Sequence, residues 1–178
     1  RGVPPDQYIY GLFDPGDTGV GSTAGLSNVA GTPRDAGSRA SIGLTRRPGG
    51  GASTMAHELG HAAGRLHAPC GGAAGPDPEF PHDNARLGSY GYDLTTDSLK
   101  GPESYADLMS YCGPEWVSDY NFARLFDRQQ GIYEEVLGGA DPMARLDADL
   151  RQLGGADPMA RLDADLRPWR QIWLHTDG

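Results

Sequence analysis

Apolar and polar positions recur with a readable period at only a few places along this chain. From Gln7 to Phe13 (QYIYGLF) aromatic and β-branched residues dominate, and Asp14-Pro15-Gly16-Asp17 stops the run, which predicts a strand. Ser38 to Leu44 (SRASIGL) predicts another. Ser22 to Ala30 (STAGLSNVA), small-residued and flanked by glycine, predicts a weaker one between them. A helix is expected from about Ala52 to Arg65, behind the run Gly49-Gly50-Gly51, with Ser53 as its candidate N-cap. The plainest helical period follows Ser118, a good N-cap. Phe122, Leu125, Phe126, Gln129, Ile132, Tyr133, Val136 and Leu137 fall three and four apart until Gly138-Gly139 ends the pattern. That stripe reads as a core face. Residues 68–106 show little period and many turn formers, and read as a solvated loop.

Past the second helix the chain repeats itself. Leu137 to Arg151 (LGGADPMARLDADLR) recurs without change from Leu153 to Arg167. Asp-Pro offers an N-cap and a first-turn proline, and Gly-Gly a stop, so each copy suits a short helix. Two copies are too few for a solenoid. The division that follows is 1–137 as the main domain, 138–167 as a duplicated helical linker, and 168–178 as a tail or the start of a further domain.

Composition narrows the picture. Among 178 residues only 38% are hydrophobic, while 27 glycines and 14 prolines point to a loop-rich α+β domain with a modest core. A net charge of −9 disfavours nucleic acid and anionic membrane surfaces as partners. Acidity itself confers solubility and says little about substrate. No apolar run approaches membrane-spanning length, which argues against membrane insertion. No signal peptide is visible, and the chain opens abruptly at Arg1-Gly2, as a processed protein or a piece of a longer one would. Oligomeric state is not legible.

The chemistry concentrates in His57-Glu58-Leu59-Gly60-His61-Ala62-Ala63-Gly64-Arg65-Leu66-His67. Residues four apart on a helix differ by about 40° of rotation, so His57 and His61 point the same way and can hold one metal ion. Glu58 sits about 100° round from His57, too far to be a ligand but within reach of a water beside the ion. A continuing helix would aim His67 away. Gly64 can take φ > 0, end the helix and fold the chain back so that His67 becomes a third ligand. Three neutral histidines with a fourth position left open describe a catalytic zinc site rather than a structural one. Glu58 then serves as general base, returning its proton to the leaving amine. Arg65 reads as an exposed helix-end residue. His82 reads as an exposed loop histidine, with substrate orientation as its alternative. Asp77, Asp83, Asp93 and Asp97 would suit Ca2+, but no EF-hand spacing supports that ion.

This pattern resembles that of the metzincin metalloendopeptidases, HExxHxxGxxH followed by a methionine in a tight turn. Asp107-Leu108-Met109-Ser110-Tyr111-Cys112 fits the second half. HAPCGG after the helix and MSYCGPEWVSDY at the turn look like a bacterial secreted branch near the StcE-like peptidases. The resemblance implies a small mixed sheet, an active-site helix, a Met-turn and a C-terminal helix. Metzincins place more strands and a helix ahead of the motif than this chain holds, so its N-terminal part looks truncated. The resemblance also implies an edge strand lining the cleft, assigned by order to about Ala24–Val29; a plain surface loop is the alternative. Met109 would form an apolar floor under the histidines. Tyr111 lies where some metzincins carry a tyrosine that ligates zinc or stabilises the oxyanion; a packed ring is the other reading. The residue after the third histidine, which differs among metzincin families, is Ala68, and it assigns the chain to no branch. Cys70 and Cys112 lie in the two segments that must then meet at the metal. A disulfide between them would clamp those segments, contribute roughly 4 kcal/mol through loop closure, and imply export; free thiols are the alternative. The function these residues imply is a secreted zinc endopeptidase acting on proteins or glycoproteins. Two alternatives stand beside it, a catalytically silent zinc-containing binding module and a zinc amidase acting on peptidoglycan.

Overall fold

The computed structural model describes residues 6–14, 23–44, 51–136 and 138. The chain divides into two units after Gly138, and every described residue belongs to the first. The duplicated segment 138–167, apart from Gly138, and the tail 168–178 lie outside the described residues.

The first unit is a small mixed α+β structure with two helices and small sheets. Three strands form the largest sheet, β1 (Ile9–Phe13), β2 (Gly25–Ser27) and β3 (Ala40–Leu44), in the order β1-β3-β2. β1 runs parallel to β3 and β2 antiparallel to it, in a register that sets Gly25 opposite Gly43. A 3-10 turn, Ala36–Ser38, shortens the third strand at its start relative to the expectation from sequence. β2 therefore stands at an edge of the sheet.

Helix α1 spans Gly51–Ala62 and packs on β2 and β3. Small residues on both partners allow a close approach, and Ser41 Oγ donates to the Glu58 carbonyl at 3.2 Å. Ser53 is not the N-cap expected of it. It is the third residue of the helix, and its hydroxyl bonds the Glu115 carboxylate. The helix also ends earlier than Arg65, because Ala63 and Gly64 close it with N–H groups on Gly60 and His61 carbonyls.

The segment after α1 is not the solvated loop that its missing period suggested. Ala68, Ala85 and Leu87 are fully buried, and Ala68, Ala85 and Met109 form a cluster with Cys70, Phe80 and Leu108 against it. Regular structure is sparse here: a hairpin of β4 (Gly91–Asp93) and β5 (Ser98–Lys100), then the short parallel pair β6 (Ala106–Asp107) and β7 (Glu115–Trp116). Periodicity fails as a guide because side chains bury here one at a time, by turns rather than by elements.

Helix α2 (Asp119–Val136) begins at Ser118, whose Oγ accepts the Asn121 N–H at 3.1 Å, as an N-cap should. Its inward face differs from the aromatic stripe read from the sequence. Asn121 and Ile132 are buried, with Leu125 and Arg128 partly so, whereas Phe122 and Phe126 stand more than 60% exposed. The helix has turned to bring Asn121 and Arg128 inward, where polar groups of the loops need partners. Arg128 reaches the Ala30 carbonyl at 2.9 Å beside Gly64. None of the described helices is long and apolar enough to cross a membrane.

Candidate metal centre

Helix α1 delivers His57 and His61 one turn apart, with ring centroids 4.8 Å from each other. Gly64 then takes φ +85°, a conformation that side-chain-bearing residues avoid, and reverses the chain. His67 comes back to the same point, its centroid 4.6 Å from His61 and 5.2 Å from His57. Space also demands glycine at 64: a Cβ would stand 2.6 Å from the Ala30 carbonyl oxygen. Of all His, Cys, Asp and Glu side chains among the described residues, His57, His61 and His67 form the group of three that could hold a metal, their ligand atoms within 4.8 Å of one another.

Backbone carbonyls fix the tautomer of each ring. Nδ1 of His57 donates to Leu108 at 2.8 Å, that of His61 to Arg65 at 2.7 Å, and that of His67 to Ala74 at 2.5 Å. A carbonyl can only accept, so each Nδ1 carries the proton and each Nε2 a free lone pair. Nε2 of His61 and His67 stand 3.2 Å apart. With no proton to share, two such lone pairs repel unless a cation lies between them. Two nitrogens on one tetrahedral ion at about 2.0–2.1 Å are themselves about 3.3–3.4 Å apart, so the spacing suits a shared ion. Burial adds to this by holding the rings neutral. It lowers the pKa of His57 and takes that of His61 down to about 4.

Met109 is 1% exposed and lies under the helix. A Cβ on Gly60 would meet its sulfur at 2.3 Å, so glycine between the two helical histidines is what lets the thioether in. Its turn is held by Asp107, which is wholly buried. Oδ1 of Asp107 accepts the Met109 N–H at 2.7 Å and the Asn121 amide at 2.8 Å, while Oδ2 accepts the Ser118 N–H at 2.8 Å. Asn121 Oδ1 in turn accepts from Arg65 Nε at 2.7 Å, and Arg65 pairs with Asp77 at 2.9 Å. Arg65 is therefore no exposed helix-end residue. It joins the loop carrying His67 to helix α2. Cys70 and Cys112 are bonded to each other, and the Tyr111 N–H donates to the Cys70 carbonyl at 3.2 Å, so the two loops are stitched beside the site.

Two sequence readings in the segment 68–106 change with this geometry. Asp77 and Asp93, considered for calcium, face Arg65 and Lys100 instead. His82 is partly buried and bonded to Asp119 at 2.6 Å, at the start of α2.

Glu58 is 8% exposed, and burial raises its pKa. Space for its side chain comes from Gly25 on β2, where a Cβ would stand 2.6 Å from Glu58 Cγ and 2.7 Å from Oε1. Opposite, a Cβ on Gly43 would overlap the Tyr10 hydroxyl, a buried group without a hydrogen-bond partner. Burial chiefly, and the nearby Glu58 charge secondarily, raise the pKa of Tyr10. On the edge strand, Gly25 is first of all room for Glu58. Tyr111 is 57% exposed, with its ring 5.0 Å from His67 and 5.8 Å from His57.

His57, Glu58, Tyr111 and Gly25 open on a cleft of about 680 Å³. Its walls are Thr23 to Leu26 on the β2 side, Ser53, Thr54, His57 and Glu58 on α1, and Ser110, Tyr111 and Glu115 opposite. Sequence reasoning missed Asp107, Asn121, Gly25 and Gly60. Asp107 alone left a readable sign, since Asp two residues before a turn residue commonly bonds that residue's N–H. The chain matches no protein-family model, no curated protein and no solved structure, so the site is judged on its own geometry.

Proposed function

We propose that this chain is a zinc-dependent endopeptidase of the metzincin type, exported to an oxidising compartment. The observation that carries the proposal is the convergence of three Nε2 lone pairs, with His57 and the buried Glu58 lining a cleft. Gly64 turning His67 inward, Met109 under Gly60 and an edge strand along the cleft all agree with the HExxHxxGxxH signature. His57, His61 and His67 would hold the ion. A divalent ion bound there supplies Lewis acidity to a scissile carbonyl and acidifies water at neutral pH.

The chain's own residues do the rest. β2 pairs only with β3 among the described strands, so its outer edge can take an extended peptide as a further strand. Glu58 removes a proton from the attacking water and returns it to the leaving amine. Its raised pKa makes it a stronger base than an exposed glutamate. Tyr111, half out in solvent beside the histidines, donates a hydrogen bond to the negative charge that develops on the carbonyl oxygen. The Cys70–Cys112 bond supports export, because such bonds persist in oxidising compartments.

The test is hydrolysis of a denatured protein by the intact chain, with metal content measured in parallel. Activity should vanish with a chelator and return with zinc. Glu58→Ala should lower kcat by about 10²–10⁴ while zinc stays bound. His67→Ala should weaken the metal itself. Stoichiometric zinc with no cleavage of any protein would favour a silent binding module instead, and digestion of cell-wall fragments alone would favour an amidase.

A further inference from the structure

Among the described residues that line the cleft, the charged side chains are Glu58 and Glu115, and neither lysine nor arginine is among them. Glu58 is buried and committed to proton transfer. Glu115 is exposed, stands on β7 in register with Ala106, and accepts a hydrogen bond from Ser53 on the first turn of α1. It is thus fixed from two sides, by a strand and by a helix hydroxyl, one helical turn from His57. A carboxylate has room for more than one donor, so a ligand's cation can share it with Ser53.

We infer that Glu115 selects the substrate, by pairing with a lysine or arginine side chain next to the scissile bond. The inference rests on the endopeptidase reading for the word "scissile", though not for the charge preference of the cleft. A carboxylate on the wall of a cleft offers a charge-assisted hydrogen bond to an ammonium or guanidinium group. A neutral side chain there would leave Glu115 without that partner, and an acidic one would meet like charge on a wall whose described residues include no lysine or arginine. Net charge elsewhere on the molecule does not enter: the discrimination is local, at one carboxylate, so one substitution should remove it.

The experiment uses the zinc-loaded full chain and peptides identical except for Lys, Met or Glu beside the cleaved bond, with that bond located by mass spectrometry. The Lys peptide should lead the Met peptide by about tenfold in kcat/KM. Glu115→Gln should bring the two within about twofold, and Glu115→Lys should shift the preference to the Glu peptide. A wild-type chain indifferent to charge, or a Glu115→Gln chain slowed equally on all three peptides, would overturn the inference. Binding of the same peptides to the Glu58→Gln chain, read by fluorescence anisotropy, separates the two proposals. Lys-selective binding that Glu115→Gln abolishes supports Glu115 even if nothing is ever cleaved. Binding and cleavage both blind to charge remove Glu115 and leave the endopeptidase standing.

Discussion

The two halves of the site are built on opposite principles. On one side the sheet and α1 rest on regular backbone pairing, yet the strands carry much of their apolar surface outward. Ile9, Leu12, Phe13, Leu26 and Ile42 are all 45% exposed or more. On the other side residues 63–118 have almost no regular structure, yet they hold Ala68, Leu87, Asp107, Met109 and Ser118 at 1% exposure or less. The first half supplies His57, His61 and Glu58 by helical period alone. The second supplies the third histidine, the floor and Tyr111. It does so through a disulfide, a glycine at positive φ, and a carboxylate that satisfies three donors. Precision in this molecule is located where hydrogen bonds run from side chain to backbone, because only those can fix a turn that no helix or strand continues.

That contrast can be broken by substitution. Asp107→Ala should have the largest effect, since it strands the Met109 and Ser118 N–H groups and the Asn121 amide in a fully buried place. A loss of about 3–5 kcal/mol is expected in urea unfolding. Leu12→Ser on the open face of β1, by comparison, should cost no more than about 0.5 kcal/mol. Equal costs at the two positions would mean that the loop half is not the rigid one.

Acid should act through the histidines. The folded-state pKa of His61 lies near 4 against an unfolded value of 6.5, so its contribution is complete above pH 6.5 and declines as pH falls towards 4. His57 shifts in the same direction. At pH 5 His61 alone should make the metal-free chain about 2 kcal/mol less stable than at pH 7.5. Glu58 works in the opposite sense: its raised pKa is a cost at neutral pH that protonation relieves, and Glu58→Gln should therefore raise the unfolding midpoint at pH 7.5. An unfolding midpoint indifferent to both changes would place these side chains in water rather than in a dry site.

Gly25→Ala sharpens the comparison from the sheet side. Its Cβ would stand 2.6 Å from Glu58 Cγ and 2.8 Å from Thr54 Cγ2, so both side chains must shift and the fold should lose about 1–2 kcal/mol. Activity should fall about tenfold or more, because displacing a base by 1 Å is costly to proton transfer. A full-rate variant would show that Glu58 does not depend on the edge strand for its position.

Much of the centre could be read before any coordinates. A period of 3.6 places His57 and His61 together, and a glycine three residues on is the residue that ends a helix at positive φ. The strands were legible for the same reason, as short β-branched runs between turn formers. Residues 68–106 were not. Their burial depends on contacts between positions far apart in sequence, such as Arg65 with Asp77 and Asn121, which no local period records. The face of α2 was misjudged likewise, because its polar residues turned inward to serve those loops and its phenylalanines turned out.

By itself, then, the sequence determined which side chains could meet at one point: spacing along one helix is a local property, and so is the backbone freedom of Gly64. Only the tertiary structure decided what holds them there. That Gly25 vacates space for Glu58, that Gly60 admits Met109, and that Asp107 anchors a turn to a distant helix are facts about proximity in space. A chain reveals proximity only once its backbone has closed.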